Sequence, residues 1–212
     1  MYFEAAGVLA RALVRDTGEY EDRQLLATAC EWTSTEYKHG SDMKDLAKAR
    51  SLLEESLQLR RALNDERPSS YTRRNLVGSS LGLGDLLRRM KDLPGARRCY
   101  GESLALMRDL VEETGGLDAR GTLAVCLCRM GTLNRLEGDL PAAHSHYEEA
   151  LALLRALADE TGTLESRSNL AYCCSLLSAL CKQEGDLPGS RHWLEESAHL
   201  RRAIVEESGL IP

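Results

Sequence analysis

Residues 139–185 read DLPAAHSHYEEALALLRALADETGTLESRSNLAYCCSLLSALCKQEG, and most of the remaining chain is this segment written again. It opens on Asp139-Leu140, and the same pair stands at Asp45-Leu46, Asp92-Leu93 and Asp186-Leu187, three successive intervals of 47 residues. A period of that size marks an array in which each unit buries its apolar faces against its neighbours.

Within each unit the boundaries follow from local chemistry. Gly138-Asp139-Leu140-Pro141 and Gly185-Asp186-Leu187-Pro188 place Gly where one helix leaves through a left-handed residue and Asp where the next helix needs an acceptor for its free amides. Proline follows in the first turn, where its missing N–H costs nothing. The far ends carry Thr17-Gly18, Thr114-Gly115, Thr161-Gly162 and Ser208-Gly209. Each unit is therefore predicted to be two antiparallel helices, with pairs at about 21–65, 71–113, 118–160 and 165–208.

Residues 1–18 form a half repeat: Phe3, Arg11, Thr17 and Gly18 match Tyr100, Arg108, Thr114 and Gly115 at an offset of 97, two periods plus three, the extra residues falling near Ser41-Asp42-Met43. The second helices are amphipathic, with Tyr147, Ala150, Leu151, Leu154 and Leu157 on one side and Glu148, Glu149, Arg155 and Asp159 on the other. The first helices are apolar nearly all round, as in Leu170 to Cys181, and so need neighbours on both sides. The unbroken period argues for a single repeat domain spanning residues 1–212.

Composition narrows the function. A net charge of −6 argues against nucleic acid and anionic membrane as partners, and the chain has no apolar run of the ~20 residues a membrane span requires. With no cleavage-site pattern at the N-terminus, the expectation is a cytoplasmic protein. Seven cysteines lack paired C-x-x-C spacing and read as buried small hydrophobes.

The repeats resemble the tetratricopeptide family, whose unit sets small residues around larger packing positions. The first small position holds Ser34, Gly84, Gly131 and Ser178; the second Ala49, Ala96, Ala143 and Ser190; the third Ser56, Ser103, Ala150 and Ser197. Leu53, Tyr100, Tyr147 and Leu194 occupy the large position. The unit exceeds the usual ~34 residues, which adds about two turns to each helix and resembles the long bacterial variant with a second helix reading roughly YEESLALxRxLxEETG. The resemblance implies an all-α, right-handed superhelical solenoid of about four full repeats plus a leading lone helix. Its concave face, lined by first helices, binds a partner protein or peptide.

Carried onto this chain, the groove-facing positions are Thr28, Glu31, Thr35, Lys38 and His39, then Gly78, Leu81, Asp85, Arg88 and Arg89. The third unit supplies Val125, Cys128, Thr132, Arg135 and Leu136, and the fourth Tyr172, Ser175, Ala179, Lys182 and Gln183. Lys38, Arg88, Arg135 and Lys182 make one position basic in every unit, a rail that points to an acidic or carboxylate-bearing partner segment. The bland alternative is favourable placement near helix C-termini, four residues before Asp92, Asp139 and Asp186. The Lys and Asn with which one subclass grips a terminal carboxylate are replaced by Leu81 and Asp85, Cys128 and Thr132, Ser175 and Ala179, so that clamp is missing.

Two further arginine series recur. Arg61, Arg108, Arg155 and Arg202 each have an acid four residues on, at Asp65, Glu112, Asp159 and Glu206, and read as surface pairs within one helix. Arg23, Arg73, Arg120 and Arg167 begin first helices and read as caps on the carbonyls of the preceding second helix.

Catalysis finds little support. His39, His144, His146, His192 and His199 are scattered, no phosphate loop or nucleophile elbow occurs, and neither a metal nor a cofactor is expected. Cys126 and Cys173 hold equivalent places in adjacent units, which would bring two thiols near each other. Exposed apolar residues near both ends, among them Val8, Leu9, Leu210 and Ile211, point to self-association or to a longer array. The leading expectation is a noncatalytic interaction scaffold. The alternative is the peptide-sensing portion of a larger regulatory protein whose effector lies outside this chain.

Overall fold

The computed structural model describes residues 2–38 and 43–207, without the side chains of Tyr2, Phe3, Lys38 and Met43. His39, the loop at Ser41-Asp42, Ser208-Gly209, Leu210 and Ile211 lie outside the described residues. The rest form nine helices: α1 Tyr2–Asp16, α2 Tyr20–Lys38, α3 Met43–Glu66, α4 Ser70–Arg89, α5 Leu93–Thr114, α6 Leu117–Glu137, α7 Leu140–Thr161, α8 Leu164–Glu184 and α9 Leu187–Glu207. No strand occurs among the described residues. The all-α helical-repeat class expected of the sequence is the one observed.

The chain divides into two compact units, Met1–Leu106 and Met107–Pro212, with the division inside α5. In the first, α1 packs on α2, α2 on α3 and α3 on α4; in the second, α6 packs on α7, α7 on α8 and α8 on α9. Pairs run antiparallel. Arg23 at the start of α2 bonds Glu66 at the end of α3 at 2.5 Å, and Arg120 at the start of α6 reaches Glu160 near the end of α7 at 2.7 Å.

The helix boundaries carry the chemistry that the sequence called for. Asp139 accepts from the Ala142 amide at 3.1 Å, and Asp92 and Asp186 accept from Gly95 and Gly189 at 2.9 Å each, all as N-caps. These carboxylates bond backbone, and Arg135, four residues before Asp139, bonds Gln183 instead. Gly138 and Gly185 leave α6 and α8 with φ of 87° and 85°. In the second repeat the same turn is made by Lys91, the one non-glycine with positive φ among the described residues, at 64°. After Pro68, Ser69 opens α4 with a capping box, its side chain accepting from the Thr72 amide while the Thr72 hydroxyl accepts from the Ser69 amide.

Packing explains the small residues. Ala49, Ala96, Ala143, Ser56, Ser103 and Ala150 are all fully buried, so neighbouring helices approach closely at those points. Gly84 and Gly131 lie beneath the rings of Tyr100 and Tyr147: an added Cβ would stand 2.5 and 2.6 Å from the respective Cε1 atoms. Each tyrosine is fully buried, and its hydroxyl is satisfied, Tyr100 donating to Asp85 at 2.7 Å and Tyr147 to Thr132 at 3.0 Å. Where the large residue is Leu53 or Leu194, the small one is Ser34 or Ser178 instead, a complementary exchange of volume. Leu194 departs from the others, standing 59% exposed on α9.

Two arginine series have partners that differ from the sequence reading. Arg61 binds Glu102, Arg108 binds Glu149 and Arg155 binds Glu196, at 2.6, 2.8 and 2.9 Å, so each pair joins successive second helices rather than closing within one helix. Arg11 and Glu55 make the corresponding pair from α1 to α3 at 2.5 Å, through both Nε and Nη2. Stacking brings the second helices of neighbouring repeats side by side, and a Glu in the middle of the neighbouring helix outcompetes the acid one turn away. The arginines that begin first helices also bond carboxylates, Arg23 to Glu66, Arg120 to Glu160 and Arg167 to Glu207, at the end of the following second helix rather than carbonyls of the preceding one.

Candidate functional site

The first helices of the second unit, α6 and α8, pack beside each other over α7. Both lack a strong polar side: Leu123, Ala124, Cys126, Leu127, Cys128, Met130 and Leu133 of α6 are buried, as are Leu170, Ala171, Cys173, Cys174, Leu177, Leu180 and Cys181 of α8. Between the two helices lies a cavity of about 260 Å³ lined by Val125, Cys128 and Arg129 of α6, Asn169 and Tyr172 of α8, and Leu154 of α7. Leu154 is buried and forms apolar floor, whereas Tyr172 stands 48% exposed at the wall. The cavity thus combines an apolar interior with a guanidinium, an amide and a phenol, the mixture that positions a ligand by a few polar contacts around an apolar body.

Further along α6 and α8, Arg135 donates from Nη1 to Gln183 Oε1 at 3.1 Å, and Gln183 Nε2 donates back to the Arg135 carbonyl at 3.4 Å. These two residues tie adjacent first helices together. Lys182 is exposed in the last turn of α8. Thr132 and Ser175 face inward: Thr132 holds the Tyr147 hydroxyl, and Ser175 lies 2.9 Å from Ser197 of α9. In the first unit, Asp85 holds Tyr100, while Arg88 is half-buried and Arg89 exposed. Burial and the Asp85 carboxylate push the Tyr100 phenol up, with Arg88 acting against them. Leu81 and Cys128, named among the groove positions, are buried core residues at 7% and 1% exposure. The Lys38 side chain lies outside the described residues.

Three residues of the cavity are not among the binding positions expected from sequence: Arg129, Asn169 and Leu154. A signal existed for Arg129, because the equivalent places hold Trp32, Gly82 and Leu176, so a single charge interrupts an uncharged series.

The cysteines are free thiols, all buried. Cys173 neighbours Cys128 rather than Cys126, and that thiol together with burial pushes its pKa up. Burial likewise raises Cys30, Cys126 and Cys174 to about 12. Such thiols stay protonated at neutral pH and make poor nucleophiles. Among the described residues no group of three or more His, Cys, Asp or Glu side chains is arranged to hold a metal ion, and no helix is long and apolar enough to cross a membrane.

These helices define a protein of the α-helical-repeat, solenoid class. Residues 76–156 match the tetratricopeptide repeat family. Among solved structures the chain is similar to BtubC (BKLC) from P. vanneervenii, with 14% identity and a TM-score of 0.57 over 96% of this chain and 89% of that one. At that identity the likeness shows the fold alone. A de novo designed helical repeat protein, DHR64, aligns over 90% of this chain and 88% of its own at 19% identity, with a TM-score of 0.31 that bears no weight. No curated protein matches the chain.

Proposed function

We propose that the chain is a noncatalytic, cytoplasmic interaction scaffold that holds a segment of a partner protein on the face built by its first helices. The observation that carries this reading is the cavity between α6 and α8, where Tyr172 remains 48% exposed beside an apolar floor. Exposed aromatic side chains beside desolvated pockets are the usual anchors of protein interfaces. The buried, protonated thiols and the absence of a catalytic motif from the sequence favour binding over turnover.

The test is selection of random dodecapeptides displayed on phage against the folded chain, followed by binding measurements with the Tyr172→Ala variant. Peptides enriched over bare support, and losing about tenfold in affinity on removal of Tyr172, support the reading; one tenfold step corresponds to ~1.4 kcal/mol. Absence of enrichment contradicts it, as does enrichment indifferent to Tyr172.

A further inference from the structure

Two features coincide at Cys128. It lines the cavity between α6 and α8, and the Cys173 thiol of α8 lies beside its own. A single residue of α7 steadies both cysteines. Cys173 donates to the Tyr147 carbonyl at 3.6 Å, while the Tyr147 hydroxyl donates to Thr132, whose own hydroxyl donates to the Cys128 carbonyl at 2.8 Å.

Cys99 and Cys174 are placed differently. Cys99 lines a second cleft, with Leu57, Leu83 and Leu87, but the groups acting on its thiol are Ser80, Glu102, Arg61 and Arg98, none of them a cysteine. Cys174 follows Cys173 in sequence and so projects about 100° further round α8, near Arg155 and Glu196. The cavity at Cys128 reaches the surface beside Tyr172, which is half exposed. Its volume of about 260 Å³ is several times the ~30 Å³ share of one water, so an oxidant little larger than water can enter.

We propose that Cys128 is a peroxide-oxidation site and that Cys173 resolves it, closing a disulfide between α6 and α8. The Cys128 sulfur attacks one oxygen of hydrogen peroxide; an S–O bond forms, the O–O bond breaks, and the departing hydroxide takes up the thiol proton and leaves as water. Cys128 is then a sulfenic acid, the species that condenses with a neighbouring thiol. The Cys173 sulfur attacks it, an S–S bond forms, the S–O bond breaks, and hydroxide leaves with the Cys173 proton as a second water. Two thiols are oxidised and one peroxide is reduced. A disulfide needs Cα atoms about 4.4–6.8 Å apart, and α6 and α8 already bring Cα atoms within 8 Å of each other. The bond ties the two helices together at the cavity, and because its chemistry needs no bound partner it goes beyond the scaffold reading.

The test exposes the folded full chain to hydrogen peroxide, then alkylates it with N-ethylmaleimide in denaturant for mass spectrometry. Expected is the loss of two of the seven thiols to the maleimide, their recovery with dithiothreitol, and a bond mapped between Cys128 and Cys173. In Cys173→Ser the Cys128 sulfenic acid persists and is trapped by dimedone, whereas in Cys128→Ser residue 173 keeps its thiol. Circular dichroism establishes that the variants are folded, and mapping of the parent chain decides the matter without them. Seven thiols still open to alkylation, a bond joining a different pair, or a dimedone adduct on Cys173 instead of Cys128 overturns the inference and leaves the scaffold reading standing.

Discussion

The ring of Tyr147 rests on the α6 backbone at Gly131, where an added Cβ would stand 2.6 Å from Cε1 and 2.7 Å from Cδ1. Both ring and backbone are rigidly held, so Gly131→Ala forces a shift in a packed core. Its gain in helix propensity, up to ~1 kcal/mol, is outweighed by overpacking, with an expected net loss of about 1–2 kcal/mol in urea unfolding. The pair Gly131→Ser with Tyr147→Leu reproduces Ser178 and Leu194 of the next repeat and should recover part of that loss. A Gly131→Ala variant as stable as the parent would show that the ring yields.

Lys91 adopts φ of 64° where Gly138 and Gly185 serve the equivalent turns. A side chain in the left-handed region costs roughly 1–2 kcal/mol, of which glycine's greater freedom in the unfolded chain takes back ~0.5–1. Lys91→Gly is therefore expected to stabilise the protein by about 0.5–1 kcal/mol, while Gly138→Lys destabilises it. Thermal melts of the two variants decide the sign.

Arg155 reaches Glu196 of α9 at 2.9 Å and lies 5.6 Å above the Trp193 ring. A double-mutant cycle over Arg155→Ala and Glu196→Ala should give a coupling of about 0.2–1 kcal/mol, as for other exposed pairs. The cycle with Asp159, one turn away on α7, should give none. Coupling to Asp159 alone would restore the pairing expected from sequence spacing.

Hydrogen bonds from Lys48 and Tyr37 hold the Glu4 carboxyl down, from 4.5 to about 2. A depressed folded pKa means that the contribution is fully present above 4.5 and is lost as pH falls toward 2. The pH dependence of stability in that window should be shallower in Glu4→Gln than in the parent. Identical acid limbs would mean that the pair does not survive in solution.

Much of this was legible because it is local or strictly periodic. Asp139 and Gly138 announce a cap and a left-handed exit through short-range backbone chemistry, and both do so in the fold. The small residues recur at the repeat spacing, so their burial at Ala96 and Ala143 followed from the period. The arginine partners did not. Arg108 and Glu149 are 41 residues apart, and only stacking makes them neighbours, whereas the acid four residues away is merely the nearest in sequence. The cavity was half visible, since Val125, Cys128 and Tyr172 sit at repeated positions. Arg129 matters through being unlike its counterparts, and positional averaging across repeats hides such a residue. Asn169 has the ordinary look of its counterpart Asn75, and only the packing of α8 beside α6 sets it at the cavity wall.

The central claim is that α6 and α8 form the partner face, and amide chemical-shift mapping of the isotopically labelled chain with a selected peptide tests it most directly. Perturbations centred on Val125, Arg129, Asn169 and Tyr172 are the predicted result. Perturbations confined to the second helices α3, α5, α7 and α9, with α6 and α8 unmoved, would contradict it.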